Sequence, residues 1–306
     1  LPMRLYQNLG VRWLLHRLGL ISRLPARMRD LENQLPGIPV RPLRVRIPRI
    51  MDAVGSKKYT VAFFLGCGQS LIHAHSSKAT LRILAHNGCE IITPRQTKCC
   101  GMPARGYGRM SEAMDMARYN IELYEKLDVD YIITDCATCG SMLKECGHFF
   151  REDPDWADRA AQFSGKIRDV SEFLADIGIQ KPEGRIDATV TYHDPCHMVR
   201  AQSISNQPRD LLKLIDGIDF IEMNGADQCC GSAGSQLVTH YESSSAILDR
   251  KIANLADTKA EIVASGCPAC RMQLTTGIAR AGLSVKVVHP VELLAQAYDN
   301  TGEGTG

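Results

Sequence analysis

The sequence predicts an α/β protein: two tandem, pseudo-symmetric Rossmann-like lobes with parallel sheets, preceded by a basic helical segment. Three observations predict it. Short apolar runs alternate with helical stretches along most of the 306 residues, as parallel strands and crossover helices do. Ten of the twelve cysteines form one pattern written twice. Each group of pattern cysteines follows a predicted strand, at the sheet edge where open parallel sheets bind ligands.

The first copy is Cys67, Cys99-Cys100, Cys136 and Cys139; the second is Cys196, Cys229-Cys230, Cys267 and Cys270. The gaps are 31 and 35 residues in the first copy and 32 and 36 in the second, close to the length of one strand–helix unit. Each adjacent pair runs into a glycine, Gly101 or Gly231, and each closing pair is Cys-x-x-Cys.

Leu1 to Arg29 reads as a basic amphipathic helix, interrupted near Gly19 and Pro25; Arg4, Arg12, Arg17, Arg23, Arg27 and Arg29 precede the first acid, Asp30. It suits packing on its own protein or a partner, or a membrane surface. Pro36 to Pro48 reads as an extended linker. The first repeat then predicts strands over Val61–Leu65, Glu90–Thr93 and Tyr131–Thr134, each followed by cysteine. Helices are predicted over Ser77–His86, over Ser111–Leu127 with Ser111 as N-cap, from about Ser141, and over Val170–Ile177. The second repeat predicts strands over Thr189–Tyr192, Phe220–Glu222, Glu261–Ala264 and Val285–Val288, with helices over Pro208–Ile215, Ser235–Leu255 and Val291–Ala297. The expected divisions are 1–58 for the helical segment and linker, 59–183 for the first cysteine-rich domain and 184–306 for the second. The tail Thr301 to Gly306 is expected to be disordered.

Net charge is only +2, and seven Phe and two Trp are too few for a basic face interleaved with aromatics, which argues against nucleic acid. A secreted disulfide scaffold is usually short, so twelve cysteines in a long α/β chain suit metal or redox use in a reducing compartment. Five thiols per copy suit an iron–sulfur centre, since a cubane cluster takes four thiolates. A structural zinc site is usually closed by two tight knuckles, whereas each copy here has one knuckle, one adjacent pair and one lone cysteine. Adjacent cysteines point apart and most easily reach two different metal atoms. Gly101 and Gly231 let backbone approach an anionic cluster, and Lys98, Arg105, His193 and His197 stand near the cysteines as candidates to neutralise charge or donate hydrogen bonds; His193 and His197 are also candidate proton donors. Cys89 and Cys146 have no counterparts and read as structural. Gly66-Cys67-Gly68 and Gly106-Tyr107-Gly108 do not complete G-x-G-x-x-G, so no flavin or nicotinamide site is visible.

The cysteine pattern, with Tyr192-His193-Asp194-Pro195-Cys196-His197 opening its second copy, resembles the CCG cysteine-rich domain. That domain recurs in glycolate oxidase iron–sulfur subunits, lactate-utilisation iron–sulfur proteins, anaerobic glycerol-3-phosphate dehydrogenases and heterodisulfide reductases. The resemblance covers about Tyr59 to Ala297, and the Leu- and Arg-rich N-terminal segment is similar to the one that follows the ferredoxin domain in glycolate oxidase iron–sulfur subunits. It implies one or two 4Fe-4S clusters, cubane or noncubane, held by the ten pattern cysteines. It implies a flavoprotein dehydrogenase partner, a ferredoxin-type iron–sulfur domain or protein upstream, and onward transfer to quinone or another carrier. The chain starts without Met and is expected to be a truncated copy, or one from which the ferredoxin part was removed. Three readings stay open: an electron-transfer subunit of a flavin-dependent 2-hydroxy-acid dehydrogenase, a heterodisulfide reductase-like disulfide or quinone reductase acting at its own noncubane cluster, and a non-catalytic zinc- or iron-binding assembly module. The expected location is the cytoplasm, including the inner face of the membrane.

Overall fold

The computed structural model describes residues 6–7, 10–35, 37, 39 and 41–299; the expectations for Arg4, Pro36 and the glycine-rich tail lie outside these residues. Among the described residues nine strands form two sheets: β1 Ile50–Met51, β2 Tyr59–Phe63, β3 Cys89–Ile92, β4 Tyr131–Thr134 and β5 Ile167–Asp169 in one, and β6 Ala188–Tyr192, β7 Ile218–Phe220, β8 Ile262–Ala264 and β9 Lys286–Val288 in the other. The orders are β1-β3-β2-β4-β5 and β7-β6-β8-β9. All pairings are parallel except β1 with β3. Without β1 the two orders are the same, so the duplication seen in the cysteines extends to strand topology.

Apolar residues explain the layers. Ala62 and Ile132 of the first sheet, with Phe64 just beyond β2, face helices Met110–Tyr124, Ala137–Lys144 and Ala157–Lys166, packing against Ala117, Ile121, Leu143 and Phe163. Val263 of the second faces helices Tyr241–Asp257 and Pro268–Arg280, packing against Leu248, Ile252 and Leu274. The opposite faces share a single core: Val61, Phe63 and Ile133 from the first sheet and Val190, Tyr192 and Ala264 from the second belong to one continuous buried cluster. Four helices fill the space between the sheets. Ala74–His86 packs on Pro290–Asp299, and Val170–Ile177 packs on Asn206–Lys213. Each pair joins the helix after the first strand of one repeat to the helix after the last strand of the other, as a pseudo-twofold axis requires.

The structure departs from the expected elements at several points. β5 is a strand that the sequence did not predict, because Ile-Arg-Asp holds a single apolar residue; Asp169 closes it and starts the next helix through a capping box with Glu172. β7 lies two residues earlier than expected. The helix expected from Ser111 begins at Met110 with Arg109 at the cap position, so Ser111 lies inside it. The helix expected over Ser235–Leu255 breaks at His240. The linker contains a 3₁₀ turn at Leu43–Val45, with Leu43 fully buried in the shared core and Arg44 donating to the carbonyls of Thr97 (2.6 Å) and Leu65 (3.3 Å). Hydrogen bonds, absent from a periodicity argument, order it.

The basic segment breaks where Gly19 and Pro25 stand, into helices Val11–Arg17 and Ala26–Asn33 with a 3₁₀ turn between. Glu32 gathers the segment, accepting from Arg12 Nε (2.8 Å) and Tyr6 (2.9 Å), with His16 Nε2 at 2.8 Å. Buried Asp30 anchors it to the second lobe by accepting from Tyr241 (2.7 Å). Trp13, Leu14 and Leu18 stay exposed. No helix among the described residues is long and apolar enough to cross a membrane.

Candidate metal centre

In the first lobe the loops after β2, β3 and β4 bring five sulfurs together. Cys67 opens the short helix Cys67–Leu71, Cys99 and Cys100 lie in the loop after β3, and Cys136 caps helix Ala137–Lys144, which carries Cys139 in its first turn. The sulfurs of Cys67 and Cys99 are 3.9 Å apart. Cys100 touches Cys99 and Cys139, and Cys139 touches Cys136. A side chain at Gly66 would put its Cβ 3.1 Å from the Cys139 sulfur, so glycine makes room for the set.

The second lobe repeats the plan. Cys196 opens helix Cys196–Val199, Cys229 and Cys230 occupy the loop after β7, and Cys267 caps helix Pro268–Arg280, which carries Cys270. Cys230 touches Cys229 and Cys270, and Cys270 touches Cys267. In both lobes the lone cysteine and the first of the adjacent pair reach solvent, while the remaining three are buried. All twelve cysteines are free thiols; Cys89 and Cys146 are buried and belong to neither set.

The glycine after each adjacent pair has a backbone reason. Gly101 has φ 93° and Gly231 φ 86°, the left-handed region that side chains disfavour. Each also lies against the long helix that follows: an added Cβ would sit 3.1 Å from the Ala113 carbonyl at Gly101 and 2.5 Å from the Ser244 carbonyl at Gly231.

Crowding shows in the acidities. Hydrogen bonds from Cys100 and Cys67 hold Cys99 far below the usual thiol range, and the same bond to Cys99, with burial, pushes Cys67 up. In the second lobe, bonds from Cys229 and Cys270 pull Cys230 down, while Cys230 and Cys267 push Cys270 up. Cys267 is drawn down to about 7, chiefly by Cys270. Thiolates this close repel, so protons must hold most of each set neutral. A cation among them would let all five ionise, which is the donor chemistry of a soft metal centre.

Of the non-cysteine candidates, His193 lies nearest. It is completely buried, its ring reaches within 4.8 Å of the Cys230 and Cys270 sulfurs, and both its nitrogens lack a hydrogen-bond partner among the described residues. A buried imidazole with two orphaned nitrogens beside sulfurs fits a centre that takes those sulfurs as ligands. Its place just beyond β6 is fixed by buried Asp194, which accepts both Arg209 Nη atoms, at 2.8 and 2.7 Å. His197 sits on the rim, its pKa lowered by burial against an opposing pull from Glu145. Lys98 is exposed, its ammonium 3.9 Å from the Tyr119 ring centre. Arg105 pairs with Glu145 at 2.5 Å. The sulfurs therefore gather His193 to them and leave Lys98 and Arg105 engaged elsewhere.

Sequence reasoning missed the residues that hold the loops. Asn120 donates to the carbonyls of Cys99 (3.2 Å) and Lys98 (3.5 Å) and accepts from Lys98 N (3.0 Å). Lys251, buried in the equivalent helix, donates to Gly225 (2.5 Å) and Ala226 (3.2 Å) carbonyls, burial lowering its pKa. Each stands two turns beyond the residue its glycine touches. The signal available was a polar residue on the apolar stripe of a long helix.

The two rims meet. The Ala137 amide donates to the Gly266 carbonyl (3.0 Å), and Gln202 Nε2 donates to the Ala137 carbonyl (3.0 Å). On the other side of the pseudo-axis, Gly68 approaches Pro268 with its Cβ position 3.8 Å from Pro268 Cγ.

Two α/β lobes of one topology, each gathering five cysteines at the ends of its strands, define a duplicated cysteine-rich protein. The chain belongs to the CCG cysteine-rich domain family, whose model matches residues 61–144 and again 190–275. Residues 1–35 match the linker region of the glycolate oxidase iron-sulfur subunit. The chain is 37% identical over 297 residues to the probable glycolate oxidase iron-sulfur subunit of Bacillus subtilis (strain 168), spanning 96% of this chain and 67% of that one. It is 33% identical over 235 residues to lactate utilization protein A of Oceanobacillus iheyensis, spanning 76% of this chain and 96% of that one. Among solved structures, a hypothetical protein from Helicobacter pylori shares the fold, with a TM-score of 0.58, 12% identity, and coverage of 97% of this chain and 67% of that one.

Proposed function

We propose that the chain is the iron–sulfur subunit of a flavin-dependent 2-hydroxy-acid dehydrogenase of the glycolate or lactate type. The observation that carries the reading is the pair of five-sulfur sets, each collected from three strand ends. Cys67, Cys99, Cys100, Cys136 and Cys139 would hold one 4Fe-4S cluster and Cys196, Cys229, Cys230, Cys267 and Cys270 another. Bound there, such clusters supply one-electron redox chemistry. The chain's residues would fix ligand positions through Gly101, Gly231, Asn120 and Lys251, bury three sulfurs of each set from water, and leave Cys67 and Cys99 near solvent on the face open to a partner. The names of the relatives support a hydroxy-acid substrate for the assembled enzyme and a flavoprotein partner. Completeness of both sets also favours, second, a disulfide or quinone reductase acting at a noncubane cluster.

Iron and acid-labile sulfide analysis with EPR on anaerobically purified protein tests the proposal. Iron and sulfide should both be present, and Cys100→Ser and Cys230→Ser should each lose the signal of one set. Stoichiometric zinc without sulfide in material from the natural host would refute it. Co-purification with a flavoprotein that reduces the chain on adding glycolate or lactate supports the first reading; reduction of a disulfide or quinone by the chain alone supports the second.

A further inference from the structure

We propose that Thr138 is a positioning residue by which the first lobe sets the redox character of the second sulfur set, its hydroxyl raising the reduction potential of a cluster held by that set. The proposal rests on the reading that the sets hold iron–sulfur clusters. Thr138 lies between Cys136 and Cys139 of the first set, yet its side chain crosses to the second lobe. Its Oγ1 is 3.6 Å from the Cys267 sulfur and 3.3 Å from His197 Nδ1.

The direction of these bonds follows from donor counting. A ligating thiolate has no proton and accepts only. The threonine hydroxyl has one hydrogen, so with Cys267 ligating it donates to that sulfur. It then accepts from His197, whose ring proton must sit on Nδ1. The chain His197 to Thr138 to Cys267 thus ends in a donor aimed at a ligand sulfur. Hydrogen bonds to cluster sulfurs stabilise the more negative, reduced state and raise the potential.

The reciprocal contact carries no such donor. By the cysteine register, Ala269 stands in the second lobe where Thr138 stands in the first, and Gly68 stands where His197 does. On that side the only atom among the described residues near the place a Gly68 side chain would take is Pro268 Cγ, a carbon, and Gly68 has no side chain to donate. His193 adds to the imbalance: it faces the second set, and the same register puts Phe64 at its place in the first lobe. The donor therefore points one way across the pseudo-axis.

The test uses the full chain, purified anaerobically, as Thr138→Val and Thr138→Ser variants. Valine keeps the branched shape and removes the hydroxyl; serine keeps the hydroxyl. Iron and sulfide per chain are measured first, then both midpoint potentials by EPR-monitored titration. Thr138→Val should retain metal and shift one midpoint to more negative potential while the other stays, and Thr138→Ser should restore it. With Cys230→Ala and Cys270→Ala removing the second set, Thr138→Val should move nothing. A Thr138→Val protein with both midpoints unchanged, a shift of the first set's midpoint, or metal confined to the first set would overturn the proposal. Absence of iron and sulfide from the unsubstituted chain would instead defeat the functional reading beneath it.

Discussion

Replacing Gly231 by alanine tests the account of the Cys-Cys-Gly turn, with Gly101→Ala as its internal control. Both glycines are left-handed, and holding alanine there costs about 1–2 kcal/mol. Alanine returns roughly 0.4–1 kcal/mol by restricting the unfolded chain. The two sites differ in what the new methyl meets. At Gly101 the nearest atoms are the Ala113 carbonyl oxygen at 3.1 Å and its Cα at 3.2 Å, a contact relieved by a shift of a few tenths of an ångström. At Gly231 the Ser244 carbonyl oxygen is 2.5 Å away, so helix Tyr241–Asp257 must move, an overpacking cost of about 1–3 kcal/mol. The expected losses are about 1 kcal/mol for Gly101→Ala and about 3 kcal/mol for Gly231→Ala, from the same ranges. Urea unfolding of metal-free, reduced protein, followed by circular dichroism, measures both against the parent. A Gly231→Ala protein no less stable than Gly101→Ala would refute the claim that helix approach, in addition to backbone conformation, demands the glycine.

Arg209→Ala should cost about 3–5 kcal/mol in the same assay, because it strands the buried Asp194 carboxylate; a loss below about 1 kcal/mol, the worth of a surface pair, would place that pair in solvent. Burial pushes Asp169 up to about 7, so the native state keeps a proton that the unfolded chain releases near pH 4, and its contribution to stability falls as pH rises between those values. Asp169→Asn, which keeps the cap, should therefore gain about 2–3 kcal/mol relative to the parent between pH 5 and pH 8; a difference independent of pH would contradict this. Cys89→Ala and Cys146→Ala should leave iron content intact and cost about 1 kcal/mol each, as ordinary core truncations do. Loss of metal in either would draw that thiol into a set it does not touch.

The cysteines and the strands before them were legible together because a parallel sheet puts all its carboxyl ends on one edge. Cys67, Cys100 and Cys136 are separated by whole strand–helix units, so topology alone brings them together. Residues whose role depends on packing were not legible. Thr138 reads as filler between two cysteines until the second lobe is placed beside it. Asn120 and Lys251 differ chemically, so no repeat search pairs them, although each pins a cysteine loop from an equivalent helix turn. Leu43 and Arg44 fell in a proline-rich run, where local composition argues for a linker and only long-range contacts argue otherwise.

The core held in common by the two sheets bears on how such a chain arises. Val61, Phe63 and Ile133 are covered, through the four central helices, by Val190, Tyr192 and Ala264. A solitary copy of either repeat would present that whole helical layer to water, an apolar surface that stable monomers do not expose. The contact is built around a twofold relation, so a single copy could satisfy it by pairing with itself. In this chain the two halves of that interface are covalently joined. Joining in one chain also frees the halves from identity. Only then could one half keep threonine and the other alanine at matching places, or histidine stand opposite glycine, differences that two copies of one gene product cannot hold.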